Sequence, residues 1–467
     1  MVDNSDVVII GAGISGISTA LSLINENYQG KIVLVDSGNT YDQRFCHVDT
    51  NLICKNCKPC NTFNGFGGSV HLGNSAKLSG FPSGKRLFNL LGKNDAFKFQ
   101  ETALALFGKT NQDFNIPESD SFAINYKTYP ISIITEEEIE KILIKWYNIV
   151  NGAKNIEILF NTNVIEINPN NNDFEVKIDN YFEKIISKKV VVAVGRQGIF
   201  WWRNEIRKLK LNYSQPTISK GLRFVVPNDL LYKVSNVHPD FKTSIIYKNK
   251  KYKTFCLSAG EFGGRIKHAN YDGEFMLIDG HGIYKKESFS KFSNFAILTQ
   301  ITGNNKPKSF NWIYKNLINT YIKANKEHPG RPLIQKYNDF KAKRISSIDF
   351  NQIELNSRNY YCSDLSFLLG NDEHEGMCFV FEQLIAKFIS GTNFINNINE
   401  VLSSTYVIGI EIENFWDVLE IDSKMQSSIE NLFVVGDCAG VAHGVLQSSV
   451  SGCVAATAIC KGRLGPK

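Results

Sequence analysis

Apolar positions at the start of the chain change period twice. Val7–Ile10 is a continuous β-branched or apolar run, the pattern of a strand buried on both faces of a parallel sheet. Ile17, Ala20, Leu21 and Ile24 then recur at helical spacing, and Lys31–Val35 returns to a strand-like run that ends at Asp36. Farther on, Glu136–Ile149 carries a helical period that leads into a strand over Ile156–Phe160. Short strands rich in β-branched and aromatic residues are predicted over Gly221–Val226 and Phe295–Thr299, with helices over Trp312–Ala324 and Phe379–Ile389. Residues 86–129 read as a helical excursion. No apolar stretch reaches the roughly eighteen residues a membrane-spanning helix needs.

Between the first strand and the first helix stands Gly11-Ala12-Gly13-Ile14-Ser15-Gly16. A glycine at 11 permits a tight turn, Gly13 lets a pyrophosphate approach the backbone, and Gly16 lets helix and strand pack closely. The helix N-terminus at Ser15 attracts an anion. Asp36, at the end of the second strand, has the carboxylate that accepts hydrogen bonds from a ribose. Strand, turn, helix, second strand and terminal acid together predict a dinucleotide-binding βαβ unit.

Composition narrows the class. The chain has 467 residues, 52 basic against 46 acidic, for a net charge of +6. Lys248, Lys250, Lys251 and Lys253 form the nearest approach to a basic patch, followed by Lys341, Lys343 and Arg344, and both read as solvated faces. Nucleic-acid binding is not expected. Residues 1–6 have no secretory character, which predicts a cytoplasmic protein whose ten cysteines are thiols or metal ligands rather than disulfides. Cys46, Cys54, Cys57 and Cys60 fall within fifteen residues of one another. Cys-x2-Cys-x2-Cys resembles the spacing that wraps an iron–sulfur cluster. Zinc held by four thiolates, or no metal, remain open readings.

Residues 431–452 resemble the second FAD signature of glutathione-reductase-type flavoproteins, where a strand ends in Gly-Asp and a helix N-terminus follows. The resemblance implies that Gly436 and Asp437 bind FAD and that the backbone at Gly444–Gln447 faces the flavin. It also implies that Val190–Gly195 with Arg196 form the middle motif near the pyrophosphate. Val164 would contact adenine, Arg44 would lie near the phosphates, and Gly67-Gly68 would pass close to the flavin. Cys46, the three following cysteines, Gly65–Ser69, Gly221–Phe224, Thr254–Cys256 with Ala259-Gly260, and Ser293–Ala296 keep the order seen in the uncharacterised FAD-dependent dehydrogenases of bacteria and archaea. Two departures stand out. Phe45-Cys46-His47 replaces an arginine-cysteine-proline, and Asn74-Ser75-Ala76-Lys77 lacks the acid usual there.

These readings predict an α/β fold: an FAD-binding Rossmann-like domain with an inserted mixed α+β substrate domain. The FAD-binding part is expected to be discontinuous, over 1–85, 130–210 and 396–467, with the substrate domain over 211–395. No second Gly-x-Gly-x-x-Gly follows a strand, so a separate nicotinamide domain is not expected. The expected activity is hydride transfer between FAD and a small organic substrate, apolar or aromatic, with His443 and Cys256 as candidate catalytic groups. A protein electron carrier would be one exit for the electrons. Two rivals stay open: an electron-transfer flavoprotein working through the cysteines, and a non-catalytic binding module. The sequence does not reveal the oligomeric state.

Overall fold

The computed structural model describes residues 4–462 apart from 51, 118–121, 180–183, 272–274, 304–305, 329–330, 351–354, 356–359, 393 and 395–396. The β-branched run at the start becomes the central strand Ser5–Ile10 of a seven-stranded sheet. Parallel strands flank it, Ile32–Val35 on one side and Lys184–Val192 on the other, with Val8 opposite both Val33 and Val190. Ile156–Leu159 adds an outer parallel strand. On the far side, the first half of Lys184–Val192 pairs antiparallel with Asp173–Ile178, and its last residues pair in parallel with Leu432–Val434. Residues more than two hundred positions apart thus complete one sheet. The helix Ile14–Asn25 covers it and crosses the C-terminal helix Val445–Lys461, where the Ser18 and Ser449 hydroxyls are 2.8 Å apart. A side chain at Gly452 would stand 2.4 Å from the Ser15 carbonyl, so only glycine allows this crossing.

A second seven-stranded sheet runs in the order Ser244–Tyr247, Lys250–Ser258, Phe292–Gln300, Ser219–Pro227, Tyr406–Glu413, Leu333–Lys336 and Tyr361–Cys362. The helix Asn371–Thr392 closes one face, with Phe381 stacked on Phe224 at 4.3 Å. The hairpin of Gly264–Tyr271 and Phe275–Gly282 lies against this sheet at Gly280, which packs on Asn294 and Arg223.

Two expected segments differ. Residues 86–129 are helical over Lys85–Leu91 and Lys93–Leu106, with one further turn at Asn111–Asp113. The Lys127 amide then donates to the Lys242 carbonyl, so the chain there runs extended beside the second sheet instead of continuing a helix. The strand Tyr406–Glu413, expected in the dinucleotide domain, belongs to the second sheet, and the helix Ile398–Ser404 leads into it. Val407, Ile408, Ile410 and Ile412 are buried on both faces between Ser219–Pro227 and Leu333–Lys336. The expected boundary at 395/396 falls outside the described residues.

His71, His238, His268 and His281 are four of the five histidines buried in this framework. His238 is satisfied as a neutral ring, with Nδ1 accepting from the Asp240 amide and Nε2 facing the Lys127 carbonyl. Burial pushes His238 down to about 4 and His268 to about 3, and holds His71 and His281 well below 6.5. An unfolded chain takes up protons on all four below pH 6.5, whereas the folded protein does not. Stability should therefore be full above pH 6.5 and fall as the pH drops toward 4, by about 1–2 kcal/mol per histidine at pH 5. Urea midpoints at pH 7.5 and 5.0 measure this, and equal midpoints would remove these histidines from the balance.

Candidate functional site

The C-terminal ends of the first sheet's strands face the second sheet and the hairpin across one cavity of about 1590 Å³. Gly11, Gly13, Ser15 and Asp36 line one end of it, with Val164, Gly195 and Arg196 beside them. Gly11 takes φ +108°, and a side chain there would meet the Ala193 carbonyl at 2.5 Å. Gly16 lies behind the wall. Its Cβ would reach the Gly11 carbonyl at 1.9 Å, so its part is to seat the helix on the strand. The Asp36 carboxylate accepts three backbone N–H groups, from Ala12 at 2.6 Å, Gly38 at 2.7 Å and Gly65 at 2.8 Å. It thereby ties the nucleotide turn to the glycine segment. The Gly67 amide continues the tie by donating to the Ala12 carbonyl at 2.9 Å.

Arg44 holds the same segment from the other side. Its guanidinium donates to the carbonyls of Asn61, Phe66 and Gly68. It does not line the cavity, and burial lowers it to about 10. The expectation that Arg44 approaches a phosphate is corrected accordingly. Its hydrogen bonds all go to backbone oxygens, and Gly68 and Ser69 are the parts of this segment that reach the cavity. Gly436 and Gly67 also stay behind the wall.

The strand Leu432–Val434 leads to Asp437, which does line the cavity. Burial would raise this carboxyl, but the His443 hydrogen bond and the Arg196 charge prevail and hold it below its ordinary value. His443 Nδ1 stands 3.2 Å from Asp437 Oδ1, and its ring lies 5.1 Å from that of Trp416. Arg196 bridges Asp437 at 3.4 Å and Asp279 at 2.9 Å. Gly444, at φ +104°, opens the C-terminal helix, and no side chain caps that helix end. Gln447 lines the cavity and donates from Nε2 to the Ser79 carbonyl at 2.7 Å.

Opposite stands a wall built by the second sheet and the hairpin. Cys256, at φ +48°, lies at a bulge in Lys250–Ser258, with Sγ 3.5 Å from Asp279 Oδ1. Its carbonyl accepts from Arg223, whose guanidinium is fully buried and bidentate on Glu411. Asp279, Glu411, Asp240 and Tyr129 complete this wall, and none of them stood out in the sequence. Their partners lie far away along the chain, so no local pattern marks them.

Residues 5–200 match the family model described as pyridine nucleotide-disulphide oxidoreductase. This is the FAD-binding domain of an oxidoreductase. The match ends where the second sheet is about to begin, and no curated protein matches the chain. Solved structures with a similar fold include a quinol fumarate reductase from E. coli, at 13% identity, covering 100% of this chain and 72% of that one, with a TM-score of 0.42. A flavoprotein/dehydrogenase from Cytophaga hutchinsonii is 11% identical, covering 98% and 79%, with a TM-score of 0.40. A geranylgeranyl bacteriochlorophyll reductase-like protein from Thermoplasma acidophilum is 12% identical, covering 99% and 79%, with a TM-score of 0.39.

The FAD-binding domain fits its cofactor. Gly13 and Gly444 begin two helices whose N-terminal ends have no side-chain cap, and both glycines line the cavity. Such ends favour negative charge, from a pyrophosphate or a reduced flavin. The four clustered cysteines do not fit a metal in the same way. None of them lines the cavity, although Lys58 and Pro59 between them do. Among the described residues, no three Cys, His, Asp or Glu side chains gather as a metal-binding group. Burial pushes the Cys54 thiol up to about 11 and raises Cys60 as well. The loop is instead docked on the hairpin, through Asp49 to Lys267 and through Asn56, which accepts from Asn270 at 2.9 Å. No helix among the described residues is long and apolar enough to cross a membrane.

Proposed function

We propose that this chain is a dehydrogenase or reductase that moves a hydride between FAD and a small organic substrate held against the wall of Cys256, Asp279 and His281. The observation that carries the reading is the continuity of the cavity, from the Gly11–Gly16 turn past Asp437 and Gly444 to that wall. Its 1590 Å³ exceeds the roughly 300–1,000 Å³ of an ordinary small-molecule pocket, which leaves room for a dinucleotide and a second molecule.

FAD, when bound, supplies the hydride chemistry. Gly13, Ser15, Asp36, Val164, Gly195, Arg196, Asp437, Gly444 and Gln447 would hold it. The open N-terminal end of Val445–Lys461 favours the charge of the reduced cofactor. With Nδ1 engaged by Asp437, His443 has Nε2 left to exchange a proton with the substrate. Cys256 packs beside the reacting centre and orients it. Electrons leave through a nicotinamide, a quinone, oxygen or a protein carrier. The thiol arrangement gives no support to a cysteine-based electron relay, and the uncapped helix ends weigh against a non-catalytic binding module.

Purified protein should be yellow and release equimolar FAD, with iron, sulfide and zinc all substoichiometric. Anaerobic addition of an oxidisable substrate, or of a reductant when the substrate is the acceptor, should bleach and then restore the flavin bands. A colourless protein that cannot be reconstituted would sink the proposal. Iron and sulfide at several per chain would transfer the working role to the cysteines.

A further inference from the structure

Beyond Gln447 the cavity is bordered by five lysines, Lys77, Lys127, Lys242, Lys251 and Lys253. The carboxylates facing them among the described lining residues are Asp240 and Glu413, because Asp279 and Glu411 are engaged by arginines. The neighbouring His238 is neutral at pH 7.

An ordinary solvated lysine face would splay its side chains into water. Here three of the five are half-buried and pinned. Lys242 lies 2.7 Å from Asp240, Lys77 reaches the Leu257 carbonyl and Asp240, and Lys253 pairs with Glu413. Asp240 is itself fixed by the Tyr129 hydroxyl at 2.5 Å and by Ser79 at 3.3 Å. Although the Lys127 side chain is largely exposed, its ammonium sits among Lys242, Lys253 and Lys251 at the cavity edge, where partial desolvation and these like charges lower its affinity for a proton. No carboxylate of the described residues hydrogen-bonds Lys127 or Lys251. The ammonium groups converge on one space with an excess of positive charge.

Ser79 places that space relative to the flavin. Its hydroxyl donates to Asp240, and its carbonyl accepts from Gln447 at the N-terminal end of the last helix. A single residue separates the lysine cluster from the flavin end of the cavity. We propose that this lobe binds the oxyanion of the substrate, a carboxylate or phosphate on a small organic molecule, and so directs its reacting carbon toward the flavin. The proposal rests on the flavoenzyme reading above and adds the substrate class.

The test titrates the FAD-loaded full chain with benzoate, phenyl phosphate and 2′-phosphoadenosine, and with neutral benzamide as the uncharged counterpart of benzoate, following the visible flavin bands. The anions should bind about tenfold more tightly than benzamide, the scale of one charge-assisted hydrogen bond tempered by exposure. Lys127 and Lys251 are exposed and engage no carboxylate, so the K127A/K251A double variant should fold normally. It should lose about that tenfold preference, and K127R/K251R should retain it. Added salt should weaken the anions and leave benzamide unchanged. Tighter benzoate assigns a carboxylic acid and tighter phenyl phosphate a phosphate ester, and either supports the proposal. Equal binding of anions and benzamide, or anion binding that the double variant leaves intact, overturns it. Preference for 2′-phosphoadenosine over both aryl anions also overturns it, by giving the lysines to a nucleotide cosubstrate. If the chain holds no FAD, the flavoenzyme reading fails, and the same titration read by intrinsic tryptophan fluorescence still decides whether the lysines select an anion.

Discussion

Arg223→Met should destabilise the protein by about 3–5 kcal/mol, the cost of leaving one partner of a buried ion pair uncompensated. Arg223 is fully buried and Glu411 is 3% exposed, so solvent substitutes poorly for the guanidinium. The substitution strips Glu411 of two hydrogen bonds of 2.9 Å and strips Asn294 Oδ1 of one of 2.6 Å. It also frees the Cys256 carbonyl, which helps to hold that residue in its left-handed conformation. The double variant R223M/E411L should recover most of the loss, because an apolar pair of similar volume substitutes well for a buried ion pair. Urea denaturation followed by circular dichroism measures both. A single variant within about 1 kcal/mol of the parent would show that Glu411 takes up a proton at little cost, contrary to this account.

The second large effect is expected at the nucleotide turn. Asp36→Ala leaves the buried amides of Ala12, Gly38 and Gly65 without an acceptor, each at about 1–3 kcal/mol. The effect should exceed that of losing a ribose contact alone, because the carboxylate joins three separate backbone segments. The variant should be purified largely without FAD and should melt earlier even as the apoprotein. Asp36→Asn, which keeps one acceptor oxygen, should lie between. If apo-Asp36→Ala melts with the apo parent, the carboxylate serves only the cofactor.

The two halves of the molecule were not equally legible. The first sheet could be read because its strands are continuous β-branched runs and its turn needs glycine at fixed offsets. Asp437, Gly444 and Gln447, which the flavin signature marked, line the cavity. Arg44 shows the limit of such a resemblance: it marked the residue, but five donors in a fixed fork take whatever acceptors surround them, here three carbonyls. Arg223 and Glu411 lie 188 positions apart, and nothing local announces their pairing. The lysines at 248–253 read as a solvated face, and for two of them that holds. Lys248 pairs with Glu375 and Lys250 with Glu373. Strand alternation turns Lys251 and Lys253 to the cavity, a period-2 signal present in the sequence and hidden by the neighbouring charges.

The crossing of Ile14–Asn25 with Val445–Lys461 has a consequence for biosynthesis. Ser18 meets Ser449 across 431 positions, and the strand that brings Asp437 to the cavity joins the sheet only after everything before Leu432 has left the ribosome. Until then a nascent chain carries an open nucleotide cradle and an uncovered apolar helix face, a state prone to association. Cofactor capture must wait for Leu432–Val434 and Val445–Lys461, and a supply of FAD once they have emerged should set how much of the protein reaches its folded form.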